Sequence, residues 1–131
     1  NPNNRYRSTY NNGCGLYVQL NSSNYGAINI YKNTIKNNTG TNAGGIYIGI
    51  VSGSIDEINI YNNNVTHNHG SGIYMGLGTY RVNGMNIYGN TITNNNASEY
   101  NGGGIYMDIN QYSVTNINNN TISNNIASLG G

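Results

Sequence analysis

Carboxylates, the groups that most polysaccharide-cleaving enzymes use, are few in this sequence: Asp56, Glu57, Glu99 and Asp108. Cleavage of a glycosidic bond, for example, needs two carboxyl groups that face one sugar. Asp56 and Glu57 are neighbours, and on the strand predicted there their side chains point to opposite faces. Glu99 falls in a variable turn, and Asp108 takes an outward position on a different strand. The sequence therefore predicts no catalytic pair and no enzyme.

The only histidines and the only cysteine, the other usual metal ligands, are His67, His69 and Cys14. Both histidines belong to predicted turns, where a solvated imidazole is the ordinary case. Cys14 occupies a slot that Gly or Ser fills in the other copies of an internal repeat, which predicts a small, buried thiol. We therefore predict no disulfide, no metal site and no cofactor.

The composition excludes two large classes of partner. Only 7% of the 131 residues are charged, and the formal net charge is +1. The five basic residues do not make the basic stripe that nucleic-acid binding requires, so no nucleic acid is expected as a partner. No apolar run approaches the roughly 20 residues of a membrane helix, so no membrane span is expected.

The elements that carry these residues come from an internal repeat. The string INIYKNTIKNN at 28–38 recurs, with changes, at 58–68, 85–95 and 115–125. A second string recurs once in each copy, as GLYVQL at 15, GIYIGI at 45, GIYMGL at 72 and GIYMDI at 104. A repeat domain over 15–131 is predicted, with copies at 15–44, 45–71, 72–103 and 104–131. Residues 1–14 form a lead-in, a candidate subunit-docking segment.

Apolar and polar residues alternate with a period of two within each copy, which predicts β-strands rather than helices. In stacked coils, equivalent residues form columns along the stack. Six columns are predicted to fill the interior: Leu16/Ile46/Ile73/Ile105, Val18/Ile48/Met75/Met107, Leu20/Ile50/Leu77/Ile109, Ile28/Ile58/Met85/Thr115, Ile30/Ile60/Ile87/Ile117 and Ile35/Val65/Ile92/Ile122. A looser seventh column predicts a third, shorter strand in each coil: Tyr25/Ile55/Val82/Tyr112.

Two columns consist of asparagine alone. They are Asn33/Asn63/Asn90/Asn120 and Asn38/Asn68/Asn95/Asn125. Asparagine tolerates a left-handed backbone, and its amide is able to bond the amide of the next coil. We therefore expect both columns at corners of the coil, in left-handed conformation and joined by side-chain amide bonds.

The Asn-x-Ile-x-Asn-Asn and Gly-Gly-Ile-Tyr motifs resemble those of the parallel β-helix repeat family, which includes pectate-lyase-like enzymes, phage tailspikes and many surface proteins. The resemblance covers residues 15–131 and implies an all-β, right-handed parallel β-helix of about four coils, each of 27–32 residues. Coils of this length exceed the family's usual length. Polysaccharide-cleaving members are expected to use clusters of acidic residues, which this sequence lacks.

Tyrosine forms two outward columns, Tyr17/Tyr47/Tyr74/Tyr106 and Tyr31/Tyr61/Tyr88, the second ending at Asn118. Stacking between the rings of successive strands is a sufficient structural cause for such columns. Two functional alternatives remain open, namely binding of a glycan and packing against another copy of the chain.

Other outward residues suggest further surfaces. Hydroxyl-rich columns flank the Ile35 column and resemble the Thr-x-Thr face of ice-binding solenoids: Thr34/Asn64/Thr91/Thr121 and Lys36/Thr66/Thr93/Ser123. Sequons for N-glycosylation occur at Asn21, Asn37, Asn64, Asn96 and Asn119. The sequons favour an extracellular or cell-surface location.

The last copy contains no capping segment, although solenoids normally cover their open edges. Either the chain is cut from a longer solenoid, or another subunit covers the edge. We predict an extracellular structural protein whose subunits stack head to tail into a filament. The alternative is a carbohydrate-binding or adhesive surface module; a polysaccharide lyase or hydrolase and an ice-binding protein are further candidates.

Overall fold

The structure is a computed structural model that describes residues 14–21, 24–78, 81–109 and 114–130. These residues form an all-β parallel solenoid of about four turns, with no helix among them. Residues 1–13 of the lead-in and Tyr112 of the seventh column lie outside the described residues. The predicted fold is confirmed as a parallel β-solenoid.

Three parallel sheets run along the solenoid. The first contains β1 (Leu16–Leu20), β4 (Thr39–Ile50), β7 (His69–Gly78), β10 (Asn96–Asn101) and β14 (Ile126–Leu129), with β11 (Ile105–Ile109) also paired to β7. The second contains β2 (Asn24–Tyr31), β5 (Ser54–Tyr61), β8 (Arg81–Tyr88) and β12 (Val114–Asn118). The third contains β3 (Thr34–Lys36), β6 (Asn64–Thr66), β9 (Thr91–Thr93) and β13 (Thr121–Ser123).

The strand register brings the predicted apolar residues together. Ile28 lies opposite Ile58, and Ile58 opposite Met85. Ile30, Ile60 and Ile87 pair in the same register. Ile46, Ile58, Ile73 and Ile87 are fully buried, as their inward positions require. Burial of such side chains stabilises the fold by about 1.5 to 3 kcal/mol each.

One predicted column is wrong at its last member. Ile109 pairs with Gly78 rather than with Leu77, because the register between β11 and β7 shifts after Asp108. Gly78 has a φ of +55°, a conformation that glycine adopts at little cost. The extra residue at the end of β7 therefore moves the last contact by one position.

The third, shorter strand exists, but its predicted place was wrong. It lies around the Ile35 column, where β3, β6, β9 and β13 are each three residues long. Tyr25, Ile55 and Val82 instead share a strand with the members of the Ile28 column. A single strand holds both columns, and the two residues between them are exposed in β5.

Asp56 and Glu57 in β5 are both exposed between the buried Ile55 and Ile58. The expectation that these two carboxylates face opposite sides of a flat strand is therefore wrong. An irregularity with two successive outward residues keeps both flanking apolar residues in the core. The same spacing recurs in β8, where Val82 and Met85 are buried.

Glycine at the start of each Gly-Ile-Tyr segment allows the coils to approach closely. A Cβ placed on Gly45 would lie 2.2 Å from the carbonyl oxygen of Gly72 and 2.5 Å from Val65. Real side chains do not tolerate such distances. The paired glycines of the repeat thus permit close backbone contact.

Candidate functional site

The first corner ladder links successive coils through Asn63 and its equivalents. The Asn63 backbone N–H and Nδ2 both donate to Oδ1 of Asn90, at 2.9 and 3.0 Å. Its Nδ2 also donates to the carbonyl oxygen of Ile30 at 2.9 Å, while its Oδ1 accepts from Asn33. One side chain therefore joins three coils, which confirms the predicted amide ladder.

The second corner ladder repeats this arrangement. Asn68 donates to Oδ1 of Asn95 and to the carbonyl oxygen of Ile35, and its own Oδ1 accepts from Asn38. Asn68 and Asn95 are 2% and 0% exposed. Among the described residues no buried side-chain polar atom lacks a hydrogen-bond partner, so the buried amides carry no uncompensated desolvation cost.

The left-handed backbone does not fall on the ladder asparagines, and that prediction was wrong. It falls on the residue before each one: Lys32, Asn62, Gly89 and Asn119 in the first corner, and Asn37, His67, Asn94 and Asn124 in the second. A left-handed residue turns the chain sharply, so that the next side chain points into the coil. The corner therefore uses two residues, one to turn and one to bond.

A third asparagine ladder lies on the outer face of the second sheet. Asn59 donates to Oδ1 of Asn29 at 3.0 Å, Asn86 to Asn59 at 2.8 Å, and Asn116 to Asn86 at 2.9 Å. This ladder was not predicted from the sequence, although Asn precedes the second apolar residue in each of the four copies. These amides are in part exposed and bond in the direction opposite to the corner ladders.

The first tyrosine column is continuous through all four coils. Ring centroids are 4.7 Å apart between Tyr17 and Tyr47, 5.4 Å between Tyr47 and Tyr74, and 4.8 Å between Tyr74 and Tyr106. Burial raises the pKa of Tyr47, and the Tyr17 and Tyr74 phenols raise it further. Burial, Tyr106 and Asp108 raise the pKa of Tyr74 in the same way.

The second tyrosine column is more exposed. Tyr61 stacks on Tyr31 and on Tyr88 with ring centroids 5.0 Å apart and planes within 3° of parallel. Desolvation and the two flanking phenols raise the pKa of Tyr61. The inner rings of both columns have both faces covered by neighbours. A sugar is thus left only ring edges, hydroxyl groups and the rings at the ends, and glycan binding stays a prediction.

The hydroxyl columns lie on the third sheet. Thr34, Thr91 and Thr121 are exposed, and the Thr66 and Thr93 hydroxyl groups lie 3.2 Å apart. Lys36 and Asn64 interrupt the pattern, as the sequence shows. Exposed threonines are also common on ordinary β-strands. Ice binding by these columns therefore stays a prediction.

The acidic and histidine side chains are dispersed over the surface. Asn83 donates to Asp56 at 3.3 Å and accepts from Arg81 at 2.8 Å, whereas Glu57 accepts from Asn59 on its own strand. Within the described ranges no three His, Cys, Asp or Glu side chains are grouped as metal ligands would be. The absence of enzymatic activity stays a prediction.

The histidines and the cysteine have only local contacts or lie exposed. His67 Nδ1 lies 2.8 Å from the Thr66 hydroxyl, and His69 is exposed. The Cys14 thiol is half-buried and donates to the Leu16 carbonyl oxygen at 3.2 Å. Burial raises the pKa of Cys14, which lowers its reactivity because the thiolate is the nucleophile.

All five sequon asparagines are exposed: Asn21, Asn37, Asn64, Asn96 and Asn119. Exposure is necessary for glycosylation but does not show it, so occupancy and an extracellular location stay predictions. In the described part of the chain, no helix has the length and apolarity that a membrane crossing demands.

A comparison with protein-family models found no match, and comparisons with curated proteins and with solved structures found none either. The fold and its ladders therefore define the class of protein, which is a parallel β-solenoid repeat protein with stacked asparagine and tyrosine side chains. Membership of the pectate-lyase-like family itself stays a prediction.

Proposed function

We propose that this chain is a structural protein whose β-solenoids stack head to tail, each last coil docking on the first coil of a second copy. The support comes from the face of the last described coil. Its strands β12 and β13 are the edge strands of the second and third sheets. Unpaired edge strands are templates for further pairing.

The last coil also exposes apolar residues that inner coils bury. Ile117 and Ile122 are 48% and 44% exposed, whereas their partners Ile87 and Ile92 are fully buried. Covering both by another coil would contribute about 1 to 3 kcal/mol in total, since each is already half-buried. At the opposite end Ile30 and Ile35 are only 5% and 7% exposed, so the last coil supplies most of this apolar contribution.

The corner ladders give the contact a direction. In each ladder, the backbone N–H and one Nδ2 hydrogen donate to Oδ1 of the following coil. The other Nδ2 hydrogen donates to a carbonyl oxygen of the preceding coil, and Oδ1 accepts from that coil. No described residue accepts from the backbone N–H of Asn120 or Asn125, and none donates to Oδ1 of Asn33 or Asn38. Last-to-first stacking pairs these donors with these acceptors, while first-to-first stacking opposes two acceptors. A heterologous contact of this kind builds filaments rather than closed dimers.

Sedimentation velocity at rising protein concentration, with electron microscopy of the same samples, tests the proposal. The wild-type 131-residue chain should form rod-like assemblies in a concentration-dependent manner. Ile117→Asp should abolish them, because it places a charge in the docking face.

Val51→Asp is the matched control, since Val51 is 47% exposed on a connection outside that face. It should assemble like the wild type, and circular dichroism should show that both variants remain folded. A wild-type chain that stays folded and monomeric at high concentration contradicts the proposal. Equal assembly of both variants places the contact elsewhere and also contradicts it.

We further propose that the filament is extracellular, because each predicted sequon asparagine is exposed. Secretion from a eukaryotic host, followed by intact-mass measurement before and after enzymatic removal of N-glycans, tests this proposal. A secreted chain without any added mass would argue against it.

A further inference from the structure

We propose that the exposed column Tyr31/Tyr61/Tyr88 is a site of oxidative cross-linking, where a peroxidase-type oxidant couples neighbouring phenols into dityrosine. The product would join successive coils covalently. This inference concerns contacts within one chain and does not rest on head-to-tail stacking.

The geometry holds the reacting rings together before oxidation. Tyr31 pairs with Tyr61, and Tyr61 with Tyr88, in the continuous register of the second sheet. Their ring centroids are 5.0 Å apart and their planes lie within 3° of parallel, so equivalent ring carbons of neighbours are also about 5 Å apart, and rotation of the side chains has to bring two ortho carbons together. Holding two reactants side by side replaces a bimolecular encounter by an intramolecular one, which favours coupling between neighbouring rings over coupling between distant ones.

The rings are also accessible to an oxidant. Tyr31 and Tyr88 are 49% and 37% exposed, and Tyr61 lies between them in partial contact with solvent. The outer surface beside them carries the neutral amides of Asn29, Asn59 and Asn86. The other tyrosine column is half-buried, so we expect it to react more slowly.

The coupling balances with hydrogen peroxide as the oxidant. Each of two phenols loses one electron and its hydroxyl proton, which gives two tyrosyl radicals. The radicals join through a new bond between carbons ortho to the oxygens, and the hydrogen on each joined carbon moves to its oxygen, restoring two phenols. The two hydrogen atoms removed reduce one hydrogen peroxide to two waters.

Peptide mass mapping after treatment of the dilute, folded chain with peroxidase and hydrogen peroxide tests the proposal. Links Tyr31–Tyr61 and Tyr61–Tyr88 should exceed links between non-adjacent tyrosines by about tenfold or more, as proximity requires. Tyr61→Phe should abolish both links while it preserves the stacked ring. Tyr88→Phe, the matched control, should abolish only the second link and leave Tyr31–Tyr61 intact.

Three results would overturn the proposal. One is a folded chain that consumes peroxide without forming dityrosine. Another is dityrosine found mainly between chains or between non-adjacent residues. The third is a Tyr61→Phe variant with as much dityrosine as the wild type, because the links would then arise outside this column.

Discussion

At the scale of single residues, the side chain of each inner corner asparagine makes hydrogen bonds to backbone groups of the neighbouring coils. Asn90 accepts the backbone N–H of Asn63 and donates to the carbonyl oxygen of Ile60, at 2.9 Å in both cases. Its side chain is 1% exposed, so water does not compete for these bonds. The residue thus continues the hydrogen bonding of the sheets through a turn, where regular strand pairing stops.

We expect Asn90→Ala to lower the free energy of unfolding by about 3 kcal/mol, because it leaves a buried N–H and a buried carbonyl oxygen without partners. Urea denaturation followed by circular dichroism measures the change. Asn86→Ala is the matched control in the same coil, and it should cost about 1 kcal/mol or less since its amide lies in the outer ladder. Equal losses in the two variants would show that burial does not set the cost.

A second prediction concerns the residues that turn the corners. Lys32 has a φ of +56°, at a position where the other copies carry Asn or Gly. Lys32→Asn should raise the free energy of unfolding by about 1 kcal/mol, because asparagine tolerates this conformation better than lysine does. Thermal denaturation of this variant and of Lys36→Asn, which changes an exposed lysine on β3, separates backbone strain from loss of charge. Equal effects would attribute the change to charge.

At the scale of the element, a tyrosine column behaves as one unit, because each ring lies against the next. Burial and neighbouring phenols raise the pKa of Tyr47 and of Tyr74 above the ordinary value of 10.0. A raised pKa means that the folded state favours the neutral phenol more strongly than the unfolded state does. The column therefore stabilises the fold only while its phenols remain protonated.

The free energy of unfolding should accordingly be constant below pH 10.0 with respect to these groups and fall as the pH rises above that value. Guanidinium denaturation at a series of alkaline pH values measures the profile. The double variant Tyr47→Phe and Tyr74→Phe keeps the rings but cannot ionise, so its profile should fall less steeply. An unchanged slope would show that other groups control alkaline unfolding.

The elements also show how far the sequence could predict the structure. The register of the columns around Ile28 and Ile30 was predicted correctly, because the side-chain period of a strand and the alignment of the copies both fix it. Their last members, Thr115 and Ile117, are exposed rather than interior, because no described coil covers them. The exposure of both Asp56 and Glu57 was missed because two successive outward residues break that period. The residue that adopts positive φ was misplaced because the choice between the two corner residues depends on the path of the backbone.

At the scale of the whole molecule, length differences between coils are absorbed in the connections. The first two coils are offset by 30 residues and the next two by 27, yet their columns stay in register. Between the third and fourth coils the offset is 32 at Ile105 and 30 at Asn120. The open edge of the last copy was expected from the sequence, whereas the exposure of Ile117 and Ile122 on it could be read only from the structure.

The orientation of the coil-to-coil hydrogen bonds has a mechanical consequence. They run along the solenoid axis, so tension applied between the two ends would load the bonds of one terminal coil first and peel that coil away before the next. Each coil rises by only about 4.8 Å along the axis. Once peeled, its 27 to 32 residues would extend to about 90 to 115 Å. Under load the protein would lengthen about twentyfold in discrete steps, one coil at a time.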